Sequence, residues 1–584
     1  MGKLFRYFTP YRWLFLVLLI FTICQVIANL SLPDYMANIV DHGIVGQDKS
    51  VIQHYGLIML LVALGGGACT VVAGFAASRI GTGFAKDVRN ALFRKIEGFS
   101  LSEFNRFSTA SLITRNTNDV QQIQTVLIMV FRLALMAPLM GVVAIIKSYG
   151  LAPSMTWIMI VAVSTLVVII AIIFSLALPR FARLQKLVDR LNLVTREILT
   201  GLRVIRAFGQ EKREENKFRQ ANQDLTDVNL FVNRLMAILQ PSMMLIMNFT
   251  MIGIVWIGAQ EIDAEKLQIG NMLAFMQYAM QAIFAFLMIS IIFIMLPRAS
   301  VSAKRIAEVL QTELAIQDPV NPLTTTAHTG QVEFRNVRFT YAGADGPVLH
   351  DISFMALPGQ TTAIVGSTGS GKSTLVNLIP RFYDVDAGEI LVDGIDIRKM
   401  TQLDLRSRIG YVSQKAMLFS GTIKDNIEYG VPDADEREIR HAAEISQASE
   451  FIDESGKGMD NPVAQAGTNV SGGQRQRLAI ARALAKKPDI YLFDDSFSAL
   501  DFKTDAMLRE ALKKETEGKT VIIVAQRIST IMNAEKIIVL DNGRVVGEGT
   551  HTQLLGSSLV YREIAGSQLS EKELAKGDQI ETIR

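Results

Sequence analysis

Cysteine is nearly missing from this chain of 584 residues: Cys24 and Cys69 are the whole complement, and both fall inside apolar runs. That argues against a disulfide framework and against a cysteine-based metal site. Charge is scarce as well. Only 20% of residues are Asp, Glu, Lys or Arg against 49% hydrophobic ones, a balance too apolar for a soluble protein and one that points to the membrane. A formal net charge of +3 gives no footing for nucleic-acid binding. Internal repeats and low-complexity tracts are missing too. A processing signal is also lacking: the apolar run 13–33 follows Lys3, Arg6 and Arg12, but it is too long for a signal-peptide core and has no small-residue cleavage site. It reads as a retained anchor. The length calls for two or three domains.

What is present is concentrated. Nearly all long uncharged runs precede residue 297. A spanning helix needs ~20 apolar residues to cross ~30 Å of hydrocarbon, and six segments qualify: 13–33, 55–77, 125–147, 155–178, 235–258 and 271–296. Connections 34–54, 148–154 and 259–270 are short and carry Asp34, Asp41, Asp48, Glu261, Asp263 and Glu265. Connections 78–124 and 179–234 are long and basic, with Arg79, Lys86, Arg89 and Arg94 in one and Arg180, Arg183, Lys186 and Arg190 in the other. The positive-inside rule therefore puts the N-terminus and both long loops in the cytoplasm. An even number of spans leaves the C-terminal half there too. Phe181, Leu184, Leu187, Val188 and Leu191 recur at helical spacing, which predicts that the spanning helices run on into the cytoplasm and turn back. The two turns, near Ser100–Phe107 and Val204–Gln210, are candidates for contact with the C-terminal domain.

Residues 297–330 lose the membrane signature and end in Pro319, Pro322 and Thr324, a linker composition. From 331 the run Val332-Glu-Phe334-Arg-Asn-Val337-Arg-Phe339 reads as a strand. The predicted layout is a six-span α-helical domain over 1–300, a linker over 301–330, an α/β unit over 331–570 and a charged tail over 571–584.

Thr362–Val365 reads as a buried strand entering Gly366-Ser367-Thr368-Gly369-Ser370-Gly371-Lys372-Ser373, a complete G-x-x-x-x-G-K-[ST], and Ser373, Thr374 and the apolar residues after them read as the following helix. That strand–loop–helix context is what a phosphate loop requires: glycines let backbone N–H groups converge on phosphates, with Lys372 on the outer phosphates and Ser373 on magnesium. Tyr341 precedes the second strand and offers a face for adenine. Gln414 has a side-chain oxygen for the magnesium shell, and Asp494, ending the apolar run Ile490–Phe493, suits a magnesium-shell carboxylate.

With these residues the chain resembles a half-transporter of the ATP-binding cassette (ABC) exporter family over essentially its whole length. The order of parts is the family's: six spans, Tyr341, Gly366–Ser373, Gln414, the signature Ser471-Gly472-Gly473-Gln474, Asp494, and Ser498-Ala-Leu-Asp501. The resemblance implies a P-loop ATP-binding cassette, ATP and Mg2+ as cofactors, and a second half-transporter. Each ATP would lie between one chain's phosphate loop and the other chain's signature, so Ser471–Gln474 would serve the partner's nucleotide, and Asp501 would count among the nucleotide-binding residues. Three positions depart from the pattern. The general base is Asp495 rather than glutamate, the switch histidine is Gln526, and the Gly-Glu-x-Gly before the signature is Ala464-Gln-Ala-Gly467.

Aspartate is one methylene shorter than glutamate, which withdraws its carboxylate by about one bond, ~1.5 Å, when a base must sit within ~2.6–3.2 Å of the group it serves. Glutamine donates a hydrogen bond but carries no positive charge to the transition state. Asp495, Gln526 and Gln414 are therefore the catalytic set of a site expected to turn over slowly, beside an intact signature. The pairing predicts a heterodimer, similar to bacterial multidrug exporters with one degenerate site. In the last two spans ten methionines lie between Met236 and Met295, with Gln240, Asn248, Gln277, Tyr278 and Gln281 among them. They predict a protein-lined cavity for amphipathic, drug-like molecules. Arg132 is expected to snorkel or pair, and Asp41 to lie near the external mouth. The rival expectations are a lipid or peptide exporter and a regulatory ATP-binding membrane subunit that does not pump.

Overall fold

In a computed structural model the described residues are 2–325, 328–432 and 434–569, and the expected charged tail, 571–584, lies outside them. The chain divides into two units, Met1–Glu97 with Thr109–Thr312, and Gly98–Ser108 with Glu313–Arg584.

Among the described residues of the first unit six helical stretches are long and apolar enough to cross a membrane: Arg6–Val45, Lys49–Glu97, Thr109–Leu151, Thr156–Thr200, Glu211–Asp263 and Ile269–Ile289. Their main helices are α1 (Arg12–Asn38), α2 (Lys49–Glu97), α4 (Val120–Leu151), α5 (Thr156–Thr200), α7 (Glu211–Ala237), α8 (Leu239–Asp263) and α9 (Ile269–Gln311). Helix α2 has 49 residues and α5 has 45. At 1.5 Å per residue each is about 70 Å long, more than twice the hydrocarbon thickness, so both run far past the bilayer as the charge pattern predicts. The first span was expected to end at 33. Instead α1 carries Pro33 inside it, and the chain continues through Asn38 into a π-helical turn, Ile39–Val45. Spanning helices tolerate such a proline because neighbouring groups satisfy the freed carbonyl; Pro138 in α4 and Pro179 in α5 are tolerated likewise.

Val26, Leu30 and Ala37 of α1 pack with Ala274, Phe275, Tyr278 and Ala282 of α9 and with Met155 and Met159. Tyr278, expected among cavity-lining residues, is fully buried in this packing; its hydroxyl contacts Leu30 O at 2.7 Å and Asp34 Oδ1 at 2.6 Å. A phenol buried in apolar surroundings needs such a partner, and α1 supplies it. Asp41 Oδ1 accepts the backbone N–H of Gly270 at 2.6 Å, satisfying one of the orphan donors at the start of α9. Arg132 is exposed on α4. Val204, within α6 (Leu202–Ala207), and Phe208, which follows it, are exposed, Phe208 to 74%.

The other turn belongs to the second unit. Helix α3 (Leu101–Phe107) starts in a capping box in which Ser100 Oγ accepts Ser102 N–H and Glu103 Oε2 accepts Ser100 N–H at 2.7 Å. The other oxygen of Glu103 accepts the N–H of Ala315 at 2.8 Å, and Asn105 Nδ2 reaches the hydroxyl of Tyr383 at 3.4 Å.

The rest of this unit is α/β. Strands β1 (Val332–Phe339), β2 (Leu349–Ala356) and β4 (Ala387–Val392) form an antiparallel sheet in the order β2–β1–β4, closed by the short strand Ile395–Asp396. The apolar residues of β1 slip phase between Phe334 and Val337, and the register shifts there, with Asn336 at φ 47°. This bulge keeps Val332, Phe334, Val337 and Phe339 all buried. The larger sheet joins β3 (Thr361–Gly366), β5 (Ile409–Val412), β6 (Ile490–Asp494), β7 (Thr520–Val524), β8 (Lys536–Asp541) and β9 (Arg544–Gly549) in the order β9–β8–β3–β7–β6–β5. All pairs are parallel except β8–β9. Every residue of β6 and β7 is buried. Tyr491 and Phe493 face one core and Ile490 and Leu492 the other, which is why Ile490–Phe493 is an uninterrupted apolar run, as is Val521–Val524 in β7.

Candidate functional site

Parallel strands end on one side of the sheet, and that is where the motif residues collect. Gly366 ends β3, Gln414 follows β5, Asp494 ends β6 and Gln526 follows β7. Register completes the arrangement, pairing Val524 with Asp494 and with Ile364, and Val412 with Phe493.

The phosphate loop bends through Gly369 at φ 83° and Gly371 at φ 97°, and α10 (Lys372–Leu378) begins immediately after. A side chain at Gly371 would strike Leu349, and one at Gly366 would strike the carbonyl oxygen of Leu540 on the adjoining strand. Both positions need glycine, one for its left-handed backbone and the other for close approach. Lys372 Nζ donates to the carbonyl oxygens of Gly366 at 2.9 Å and Ser367 at 2.7 Å. Burial pushes its ammonium below the usual lysine range, against the pull of Asp495 and Asp494. Ser373 Oγ donates to Asp494 Oδ1 at 2.9 Å. Burial raises the Asp494 carboxyl; the Ser373 hydroxyl opposes the rise and Asp495 adds to it.

Asp495 is buried at φ 48°, in the left-handed region that aspartate enters more readily than most residues, and its N–H donates to Val524 O at 3.0 Å. Its Oδ2 accepts from Gln414 Nε2 at 3.2 Å and from Gln526 Nε2 at 3.0 Å. The three residues that the sequence placed in one catalytic set thus meet at one oxygen.

Tyr341 lies beside the loop, its hydroxyl 2.9 Å from Thr374 Oγ1. Its ring packs edge-on against Phe339 and Tyr383, at centroid distances of 4.9 Å and 5.3 Å. Sequence reasoning missed Tyr383 and Asn105, which link this aromatic cluster to α3. Nothing in the local pattern marks a tyrosine that acts through its tertiary neighbours.

The signature opens a helix of its own. Ser471 caps α11 (Gly472–Ala485) through a reciprocal box, with Gln474 N–H donating to Ser471 Oγ at 3.2 Å and Ser471 N–H to Gln474 Oε1 at 2.9 Å. Ser471 and Gly472 are exposed at this helix start, and Gly473 approaches Ala499 O. In the segment before it, Ala466 holds φ 56° and Arg475 donates to the carbonyls of Gly467 and Val470 at 3.0 Å and 2.9 Å. Asp501 caps α12 (Phe502–Glu515) by accepting Thr504 N–H at 3.0 Å.

A phosphate loop at the carboxyl edge of a parallel sheet, joined to a six-span membrane unit, defines an ATP-binding membrane protein. Residues 15–286 match the family described as ABC transporter transmembrane region, and residues 349–498 match the family described as ABC transporter. The chain is 44% identical over 567 residues to an ABC transporter ATP-binding protein of Mycobacterium tuberculosis, covering 96% of this chain and 97% of that one. It is 31% identical over 577 residues to an ATP-dependent lipid A-core flippase of Syntrophus aciditrophicus, covering 96% and 93%. Among solved structures, a bacterial Atm1-family ABC exporter with ATP bound superposes with a TM-score of 0.80 at 27% identity, over 96% of this chain and 99% of that one. The chain therefore belongs to the ABC transporters. It is an exporter half-transporter, a multi-pass membrane protein whose ATP-binding domain lies on the cytoplasmic side and couples ATP use to transport.

Proposed function

We propose that this half-transporter works with a non-identical second one, exporting amphipathic, drug-like molecules across the cytoplasmic membrane. Its own phosphate loop holds ATP that turns over slowly, and its signature completes the partner's faster site. The observation that carries this is the contrast between Asp495, engaged by Gln526 and Gln414, and the intact Ser471–Gln474 box at an exposed helix start. A helix N-terminus presenting N–H groups suits a γ-phosphate. Two such chains would combine two good signatures with two weak catalytic sets, and a partner bearing glutamate and histidine resolves the mismatch.

At the slow site Lys372 and the loop N–H groups bind the phosphates, and Tyr341 faces the adenine. Ser373, Asp494 and the amide oxygen of Gln414 form the oxygen-rich set that a hard cation such as Mg2+ takes together with phosphate oxygens. The same residues fit ATP retention without rapid hydrolysis.

A lipid exporter is the second reading, favoured by the 31% likeness to a lipid A-core flippase. Purification with the partner, followed by ATPase assays with drugs and with lipids as stimulants, separates the two. In the heterodimer Ser471→Ala should abolish most turnover, whereas Asp495→Ala should leave most of it. Equal loss in both variants, or a fast purified homodimer, overturns the scheme. ATP binding without dye uptake into vesicles would instead favour a regulatory subunit.

A further inference from the structure

The segment that carries Gln526 is gripped from outside the nucleotide motifs. Ala525 N–H donates to Ile364 O at 3.2 Å, tying the segment to β3 on one side. Beyond it, after α13 (His551–Ser557), Gln568 lies two residues past α14 (Leu559–Gly566) and uses both ends of its amide. Its Nε2 donates to Gln526 O at 2.8 Å, and its Oε1 accepts Ile528 N–H at 2.8 Å. Bidentate pairing to two backbone groups fixes the path of residues 526–528 as a strand neighbour would, and so fixes where the Gln526 side chain starts toward Asp495. The anchor is firm. Tyr561 and Ala565 of α14 are fully buried in the main core, Leu569 packs against it, and Gln568 N–H donates to Ala565 O at 3.0 Å. Ile528 and Ile531 are buried in the same core.

We infer that Gln568 is a positioning residue for the nucleotide site: it clamps residues 526–528 and holds Gln526 in register with Asp495, so that the segment after the helix Leu559–Gly566 sets how tightly this chain retains ATP. The inference rests on the proposed placing of Gln526 at a slow ATP site, and does not depend on the identity of the partner. No local pattern predicts it, because Gln568 falls in a polar stretch 42 residues after Gln526 and only the fold brings them together.

The test uses the full-length transporter in nanodiscs, loaded with radiolabelled ATP and chased with unlabelled ATP, for the wild type, Gln568→Leu, Gln526→Ala and the double variant. Backbone hydrogen exchange at residues 526–528 is followed in parallel. Loss of two hydrogen bonds is expected to speed ATP release by about three- to tenfold in Gln568→Leu and to raise exchange at Ile528. In the double variant release should be no faster than in Gln526→Ala alone, because Gln568 acts through Gln526. Gln568→Glu keeps an acceptor for Ile528 but cannot donate to Gln526 O, and should fall between; it also serves if the leucine variant does not fold. Raised exchange with unchanged release overturns the positioning role, as do additive effects in the double variant. Unchanged exchange overturns the clamp itself. If Gln526→Ala leaves release unchanged, the reading of the slow site fails instead, and exchange at Ile528 still decides the clamp.

Discussion

Gln526 Nε2 donates to Oδ2 of Asp495 across 3.0 Å, and the same oxygen takes a second amide donor from Gln414 at 3.2 Å. A carboxylate oxygen engaged by two donors is a poorer acceptor for the proton of an attacking water, and the shorter side chain already draws it back. Length and engagement act in the same direction. Restoring only the length, by Asp495→Glu, leaves Gln526 as a neutral donor. Restoring both, by Asp495→Glu with Gln526→His, supplies reach and a cationic donor together. General base catalysis is worth ~100-fold or more, so the double variant should raise phosphate release at this chain's own site by about that factor. The single variant should gain far less. A double variant that hydrolyses no faster than the wild type would show that these two positions do not limit turnover.

Tyr341 separates two contributions that one substitution would merge. Its hydroxyl meets Thr374, while its ring is held edge-on by Phe339 and Tyr383. Tyr341→Phe removes only the hydroxyl contact and should change ATP affinity by no more than about threefold. Tyr341→Ala also removes the face proposed for adenine, with aromatic stacking worth ~1 kcal/mol, and should weaken binding about fivefold or more. Calorimetric or fluorescent-nucleotide titration reads both. Equal effects of the two variants would place adenine elsewhere.

Much of this was legible beforehand, for identifiable reasons. The middle of β3 and all of β6 are buried, so Ala363–Val365 and Ile490–Phe493 form short apolar runs that announce central strands. The glycines of the phosphate loop are dictated by backbone geometry and so persist as a motif. The long basic connections announced helices beyond the bilayer, and α2 and α5 are those helices. The end of α1 was misread because the apolar run stops at 33 while the helix, with Pro33 inside it, goes on through Asn38. Tyr278 was misread because a polar atom inside a span signals burial, not whether its neighbour is a ligand or, as here, Leu30 and Asp34. The meeting of Gln414, Asp495 and Gln526 at one oxygen depends on strand order and register, which no local pattern encodes.

Asp41 and Gly270 form a joint between the π-helical turn after α1 and the start of α9. A side chain at residue 270 would collide with the backbone of Ala37 and crowd Asp41 Oδ2. Gly270→Ala should therefore lower thermal stability in detergent. Asp41→Ala, which leaves the Gly270 donor without its partner, should cost ~1–3 kcal/mol. Asp41→Asn keeps an acceptor and should recover most of the loss. If all three variants melt with the wild type, the joint is not a source of stability.

His551 gives the ATP-binding domain a pH dependence of definite sign. The ring is buried against Tyr561, with Nδ1 2.7 Å from the hydroxyl, and burial holds its pKa below 6.5. A neutral ring protonated at Nε2 accepts the tyrosine hydroxyl at Nδ1, whereas a protonated ring is a donor at both nitrogens and would force that hydroxyl to turn away. The unfolded chain takes up its proton near pH 6.5, before the folded one does. The folded state therefore keeps its full stability above that pH and loses it as pH falls from about 6.5 toward the depressed folded value, at ~1.4 kcal/mol for each unit of depression. His551→Gln retains an acceptor for Tyr561 without titrating. The fall in melting temperature of the nucleotide-free protein between about pH 7.5 and pH 5.5 should be steeper in the wild type than in this variant, since the remaining acid-sensitive groups are common to both and cancel in the comparison. Parallel slopes would mean that the ring accepts its proton inside the folded core as readily as in the unfolded chain, and that the Tyr561 contact survives protonation.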